Sequence, residues 1–187
     1  PGWFPEECQW IVGCSYRGLT ETVGEVRNLI GCNMSFRRSA LYGVDGFTET
    51  PGLGHMGKAP VGCDETELSI RIRQQNPEGM LLHDSSAAVH HNVPESRSTW
   101  SYYLQRCRHE GNSKAIVSQL VGTKDGLSSE LTYTLVTLPT GVLKGIRDTL
   151  FGDFNGIRRA FAIVAALVTP TLYYLMGRIR NSVATEA

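Results

Sequence analysis

No sign of charge dominates this chain: 187 residues carry 18 Lys+Arg against 18 Asp+Glu, and the pI is near 7.3. A protein held on nucleic acid by phosphate contacts needs a basic face, so the balance argues against a nucleic-acid partner. Low-complexity tracts are lacking, and 41% hydrophobic content is too high for a disordered chain. The five cysteines (Cys8, Cys14, Cys32, Cys63, Cys107) form no Cys-x-x-Cys pair, which points away from a disulfide framework and from a zinc knuckle and toward a reducing, cytoplasmic compartment. The first residues, Pro1 to Glu7, have neither a basic nor an apolar region of the kind a signal peptide uses. They do not look like the start of a fold either, so the chain is expected to begin inside a larger protein.

Gln9–Cys14 and Leu29–Arg38 read as short strands, and Ser39–Tyr42 as a helical turn. The Gly-rich stretch from Gly43 to Gly62 reads as a long functional loop. Leu68–Gln75 alternates like a strand, but the acidic residues ahead of it complement a helix N-terminus, and a helix is the expectation. Two short strands follow, Met80–Leu82 and Ala87–His91. From Ser96 onward the period is helical, with Trp100, Tyr103, Leu104 and Cys107 at i, i+3, i+4, i+7. Lys114–Val121, Ser128–Leu138 and Thr140–Leu150 read as further helices. Strands first and helices afterwards imply an α+β fold.

Ala160–Met176 contains no charged residue and is bracketed by Arg158-Arg159 and by Arg178 and Arg180. The run is a little short for a span of about 20 residues. It reads as an interfacial helix, a spanning helix or a buried one. The six basic and two acidic residues between Lys144 and Arg180 favour an anionic leaflet.

Asp64 and Glu65 stand between the Gly-rich loop and the expected helix. A carboxylate there either serves as a general base or caps the helix. His90 and His91, in an expected strand, point to opposite faces; one of them is a metal ligand at most, and the alternative is a packed or solvated histidine. Arg37 and Arg38 either hold an anion or end a strand in solvent. Arg97 and Trp100, three apart at a helix start, either line an acceptor groove or anchor the helix.

The order of these pieces resembles the C-terminal half of a bacterial, actinobacterial-type family 2 inverting glycosyltransferase of the GT-A fold. The residues that carry the resemblance are Trp3-Phe4-Pro5-Glu6-Glu7, Trp10 to Gly18, Gly31 to Arg38, Gly46-Phe47, Gly62 to Leu68, Val89 to Pro94 with Arg97 and Trp100, and Glu110 to Ala115. The likeness spans roughly residues 3 to 145. It implies a GT-A-like acceptor-side half over residues 1–95; the helical pattern gives an extension over 96–151, and the apolar run with its flanking arginines gives a membrane-associated helix over 152–187. It also implies roles. Glu65, with Asp64 beside it, deprotonates an acceptor hydroxyl; this chain has Asp-Glu where Glu-Asp is the commoner order. Asn33, Arg37 and Arg38 border the sugar and acceptor, as do Arg97 and Trp100. His91 contacts a divalent metal, Mn2+ or Mg2+, held mainly by an upstream Asp-x-Asp. The implied partners are a nucleotide-sugar donor, a glycan or lipid-linked acceptor and the inner face of the cell membrane. No Asp-x-Asp and no phosphate-binding βα loop stand in this chain. A fragment without catalysis of its own is therefore expected. The alternatives are a non-catalytic, degenerate fragment, a membrane-associated interaction module, or a metal-dependent hydrolase using His90 or His91 with Asp64.

Overall fold

The computed structural model describes residues 1–54, 62–127 and 132–185. The fold is α+β, with a small sheet and a C-terminal helical region. Strands β1 (Gly24–Glu25) and β2 (Leu82–His83) pair antiparallel, Gly24 opposite His83, and Val26 N–H extends the pairing to the Leu81 carbonyl at 2.8 Å. The helices are α1 (Arg38–Gly43), α2 (Asp64–Gln75), α3 (Trp100–Leu120), α4 (Thr123–Gly126), α5 (Leu138–Leu150) and α6 (Asn155–Thr185).

The helices at α1 and α2 form where the sequence predicts them. Three of the expected strands do not form. Glu6–Val12 is a 3-10 helix: Glu6 and Glu7 occupy its first turn, and Gly13, at φ +79°, ends it in a conformation that a side chain disfavours. Its apolar residues serve a helical face, with Cys8, Ile11 and Val12 buried. Leu29–Arg38 crosses the surface as turns, with Asn33 N–H bonded to the Ile30 carbonyl. Ala87–His91 starts at a bend and is in neither strand of the sheet, so the alternation expected of His90 and His91 has no basis. Of the expected Met80–Leu82 strand only Leu82 is in β2.

Helix α3 runs without interruption through Gly111, merging two predicted helices. Thr99 caps it, its Oγ1 accepting from the Tyr102 N–H at 3.3 Å. Residues 128–131 of the expected Ser128–Leu138 helix lie outside the described residues; Tyr133–Thr137 forms a π-helical turn leading into α5, whose first turn contains Pro139.

The main core joins the 3-10 helix, α3, α5 and α6: Cys8, Ile11, Tyr103, Cys107, Leu138, Ala162 and Ile163 are buried together. Residues from all three expected segments thus share one core. Two features fix the crossing of α3 and α6. The Tyr103 hydroxyl donates to the Ala162 carbonyl at 2.8 Å. A Cβ at Gly111 would stand 2.9 Å from Tyr174 N and closer still to the Pro170 carbonyl, so only glycine lets the backbones approach this far. A turn at Gly152 (φ +98°) sends the chain from α5 back along α6. There Gly145 and Gly156 meet backbone to backbone. Asp148 pairs with Lys144 and Arg159 at 3.1 and 3.0 Å, and Asp153 with Arg159 at 2.7 Å.

Candidate active-site cleft

Helix α2 opens on Asp64, directly after Cys63, whose φ of +70° turns the chain sharply into the helix. That turn presents Asp64 and Glu65 beneath two glycine-bearing loops. A Cβ on Gly31 would lie 3.5 Å from Glu65 Oε1, and one on Gly54 would lie 3.0 Å from Asp64 Oδ2. The third acid of this turn, Glu67, is buried and holds Arg71, whose Nη2 also donates to the Gly46 carbonyl at 2.7 Å. This pair staples the 44–46 loop to α2. Burial, together with a hydrogen bond to Asp64, pushes the Glu65 carboxyl up to about 8. A carboxylate with that affinity is a far better proton acceptor than a solvated one.

Glu65 lines a cleft of about 840 Å³. Gly13 and Cys14 form one edge, Trp10 and Tyr133 another; Trp10 Nε1 donates to the Tyr133 hydroxyl at 3.0 Å, which in turn donates to the Glu7 carbonyl at 2.6 Å. Arg106, Glu110 and Lys114 of α3 also line it, as do Leu167, Pro170 and Leu175 of α6.

The structure draws several residues singled out from the sequence around this cleft. Glu65 adjoins Gly31; the Cys32 thiol donates to the Gly13 carbonyl at 3.2 Å; and a Cβ on Gly13 would stand 3.5 Å from His91 Nε2. That Nε2 is buried without a hydrogen-bond partner. Asn33, two residues beyond Gly31, donates from Nδ2 to the Ala87 carbonyl and so ties the two segments together. Of the eight site residues expected from the sequence only Glu65 is in the cleft lining; Asp64, Asn33 and His91 stand near it, and Arg37, Arg38, Arg97 and Trp100 lie elsewhere. Arg37 and Arg38 are exposed at the start of α1, where Arg38 donates to the Tyr42 hydroxyl and sits 5.2 Å from its ring centroid. Arg97 stands over the Tyr102 ring, and Trp100 stacks on Trp3 at 4.7 Å and meets Phe161 of α6 edge-on. Sequence reasoning gave no role to Arg106, Glu110 and Lys114. Their spacing of four, placing three charges on one helical face, was the available signal.

A divalent metal calls for several hard or imidazole ligands together. Among the described residues no group of three His, Cys, Asp or Glu side chains comes close enough to hold an ion. His91 brings its imidazole alone, and these residues do not complete the expected metal site by themselves.

Over 120 residues this chain is 35% identical to a protein of Haloferax volcanii named glucosyl-dolichyl phosphate glucuronosyltransferase. The likeness is to a glycosyltransferase. It covers 64% of this chain and 37% of the relative, so the chain spans little more than a third of that protein. No family model matches the chain, and no solved structure does. The similarity supports the glycosyltransferase resemblance seen in the motifs.

Helix α6 contains one stretch, Asn155–Arg180, long and apolar enough to cross a membrane by length and composition, and 28% of it is buried. Its buried side supplies Ala160, Ala162 and Ile163 to the core, while Phe161, Val164, Val168 and Leu172 face outward. Near the turn into α6, Phe151 is 85% and Phe154 78% exposed. The α5–α6 pair therefore serves the core and also leaves a large apolar face outside it.

Proposed function

We propose that this chain forms the acceptor side of a GT-A-type, inverting glycosyltransferase that moves a sugar from a nucleotide sugar to a hydroxyl of a lipid-linked acceptor. The observation that carries the reading is Glu65: a buried carboxyl of raised proton affinity, hydrogen-bonded to Asp64, on the wall of a large cleft. The similarity to an enzyme named for a glycosyl-lipid phosphate supports the same reaction class.

In this reading Glu65, ionised, takes the proton of the acceptor hydroxyl. The oxygen then forms its bond to the anomeric carbon as the bond from that carbon to the diphosphate oxygen breaks. The diphosphate leaves with the electron pair, and one in-line displacement inverts the anomeric centre. Asp64 positions Glu65 and, as a neighbouring acid, raises its proton affinity. Gly31 keeps the space beside Glu65 open. No step assigned to these residues runs through a metal.

The outward face of α5–α6 would rest on the membrane interface, with Phe151 and Phe154 entering it and Arg147 and Arg158 near the lipid phosphates. Glu65→Gln in an enzyme completed by a donor-binding half tests the chemistry: turnover is expected to vanish while donor binding persists, and unchanged turnover removes Glu65 from the reaction. Pelleting with anionic vesicles tests the membrane contact, which Phe151→Ser with Phe154→Ser should weaken strongly.

A further inference from the structure

The cysteines of this protein divide into two groups. Cys8, Cys63 and Cys107 are 0%, 5% and 0% exposed, and burial pushes the Cys8 and Cys107 thiols up to about 12. Buried thiols that stay protonated are inert. Cys14 is half-buried on the cleft lining, and Cys32 is exposed. These two are the thiols that a dissolved reagent meets.

They also stand beside each other. The Cys32 thiol donates to the Gly13 carbonyl at 3.2 Å, and that carbonyl belongs to the peptide group joining Gly13 to Cys14. Standard bond lengths then put the Cys32 sulfur within about 6 Å of the Cys14 Cα, and the two Cα atoms within about 9 Å. Burial, and after it the nearby Cys32 sulfur, raises the proton affinity of the Cys14 thiol. A disulfide spans Cα atoms up to about 7 Å apart, so a shift of at most about 2 Å lets the pair close. The Cys32 side is built to make that shift. Gly31, Cys32 and Asn33 are all exposed, on a turn in which Asn33 N–H bonds the Ile30 carbonyl at 3.0 Å.

The segments that such a bond joins both belong to the site. Cys32 follows Gly31, where a Cβ would stand 3.5 Å from Glu65 Oε1. Cys14 and Gly13 form an edge of the cleft that Glu65 lines. In a reducing compartment a disulfide is a transient, redox-sensing bond rather than a permanent staple.

We propose that Cys14 and Cys32 form a reversible redox latch that draws the Gly31 turn across Glu65. The oxidant is a small-molecule disulfide. The exposed Cys32 thiolate attacks one of its sulfurs, breaking that S–S bond and releasing one small thiolate. The Cys14 thiolate then attacks the Cys32 sulfur of the mixed disulfide, forming the Cys14–Cys32 bond and releasing the second. Two protein thiols thus give up two protons and two electrons, and the small disulfide is reduced to two thiols. Excess thiol reverses both steps. The bond is independent of any reaction at Glu65; only what the latch controls rests on the transferase reading.

The test uses the purified full chain in glutathione buffers. Moving from reduced to oxidised glutathione should lower its mass by about 2 Da, and dithiothreitol should restore it. Peptide mapping should find Cys14 linked to Cys32, with Cys8, Cys63 and Cys107 still free thiols. Cys14→Ser and Cys32→Ser should each abolish the link. Access to Glu65 is read with dicyclohexylcarbodiimide, which modifies protonated carboxyls in apolar surroundings. Labelling of Glu65 should fall severalfold on oxidation, recover with dithiothreitol, and stay constant in Cys32→Ser. If the oxidised, unaltered chain lacks the link, whether its thiols stay free or carry glutathione, the pairing is overturned without recourse to any variant. Unchanged Glu65 labelling in the linked chain overturns the latch. Glu65→Gln should form the link as the parent does. Full turnover in the completed Glu65→Gln enzyme would therefore discard Glu65 as base and leave the disulfide standing.

Discussion

The loop-rich part of this protein, up to about residue 95, and its helical part are ordered by different forces. In the first, side chains reach long distances to bind backbone. Arg71 Nη2 donates to the Gly46 carbonyl and Gln74 to the Val121 carbonyl. Arg27 donates to the Gly126 carbonyl and Ser85 to the Glu21 carbonyl. The only regular pairing described there is a sheet of two short strands. In the second part, helix backbones press together at Gly111, Gly145 and Gly156, and Gly141 and Gly177 make room for side chains of neighbouring elements. Polar tethers define a position while leaving the backbone between them room to adjust, whereas glycine-notched helices tolerate almost no change of volume. The buried Glu65 carboxyl belongs to the first kind of structure and the α6 residues of the cleft to the second. A site of this construction combines an adjustable chemical edge with a fixed reference surface.

Substitutions can break or sharpen that contrast. Glu65→Gln should have the largest effect on function, lowering turnover of the completed enzyme by ~10²–10⁴. With Glu65 present, the turnover profile should rise with pH through about 8, where the buried carboxyl ionises. The effect on stability should run the other way. The folded-state affinity is raised above the ordinary 4.5, so the folded protein holds a proton that the unfolded chain releases. Stability therefore declines as pH rises from 4.5 toward 8. Thermal melts should find Glu65→Gln more stable than the parent at pH 8, by roughly 5 °C, and level with it at pH 4. A variant less stable than the parent at pH 8 would show that the carboxylate is not held at a cost.

The helical part should respond only in stability. Gly111→Ala forces a methyl group into the α6 backbone and should cost about 3 kcal/mol in urea unfolding. Tyr103→Phe leaves the Ala162 carbonyl without its donor and should cost about 1–2 kcal/mol. The smallest effect belongs to the loop part. Gly46 has φ +70° but open space around its Cβ position, so Gly46→Ala carries only backbone strain, about 1 kcal/mol. A cost at Gly46 equal to that at Gly111 would erase the distinction between the two regions.

The helices were readable where a local signal and the tertiary outcome agree, as at α2, with its acidic first turn, and α3, with its apolar period and Thr99 cap. Strands read from short apolar runs failed for a physical reason. Residues such as Trp10, Ile11 and Val12 satisfy a half-buried helical turn as well as a strand, and partners decide between them. The helical pattern from Ser96 and the expected Lys114–Val121 helix prove to be one helix, and the role of Gly111 in close approach to α6 is a long-range demand that the local sequence does not express. The carboxylates were legible through their place in a spaced motif. Gly13 and Cys32 became neighbours of Glu65's surroundings only through folding, and the α3 charges resemble any solvated helix face until the cleft they line is known.

The packing also orders the assembly of the chain in time. Asp148 and Arg159 join residues eleven apart, whereas Tyr103 meets Ala162 across 59. Closing the short loop costs less chain entropy, so the α5–α6 hairpin should form early and present the groove into which α3 later docks. Until that docking the cleft lacks its α3 residues, and Trp10, bonded to Tyr133 across 123 residues, closes it later still.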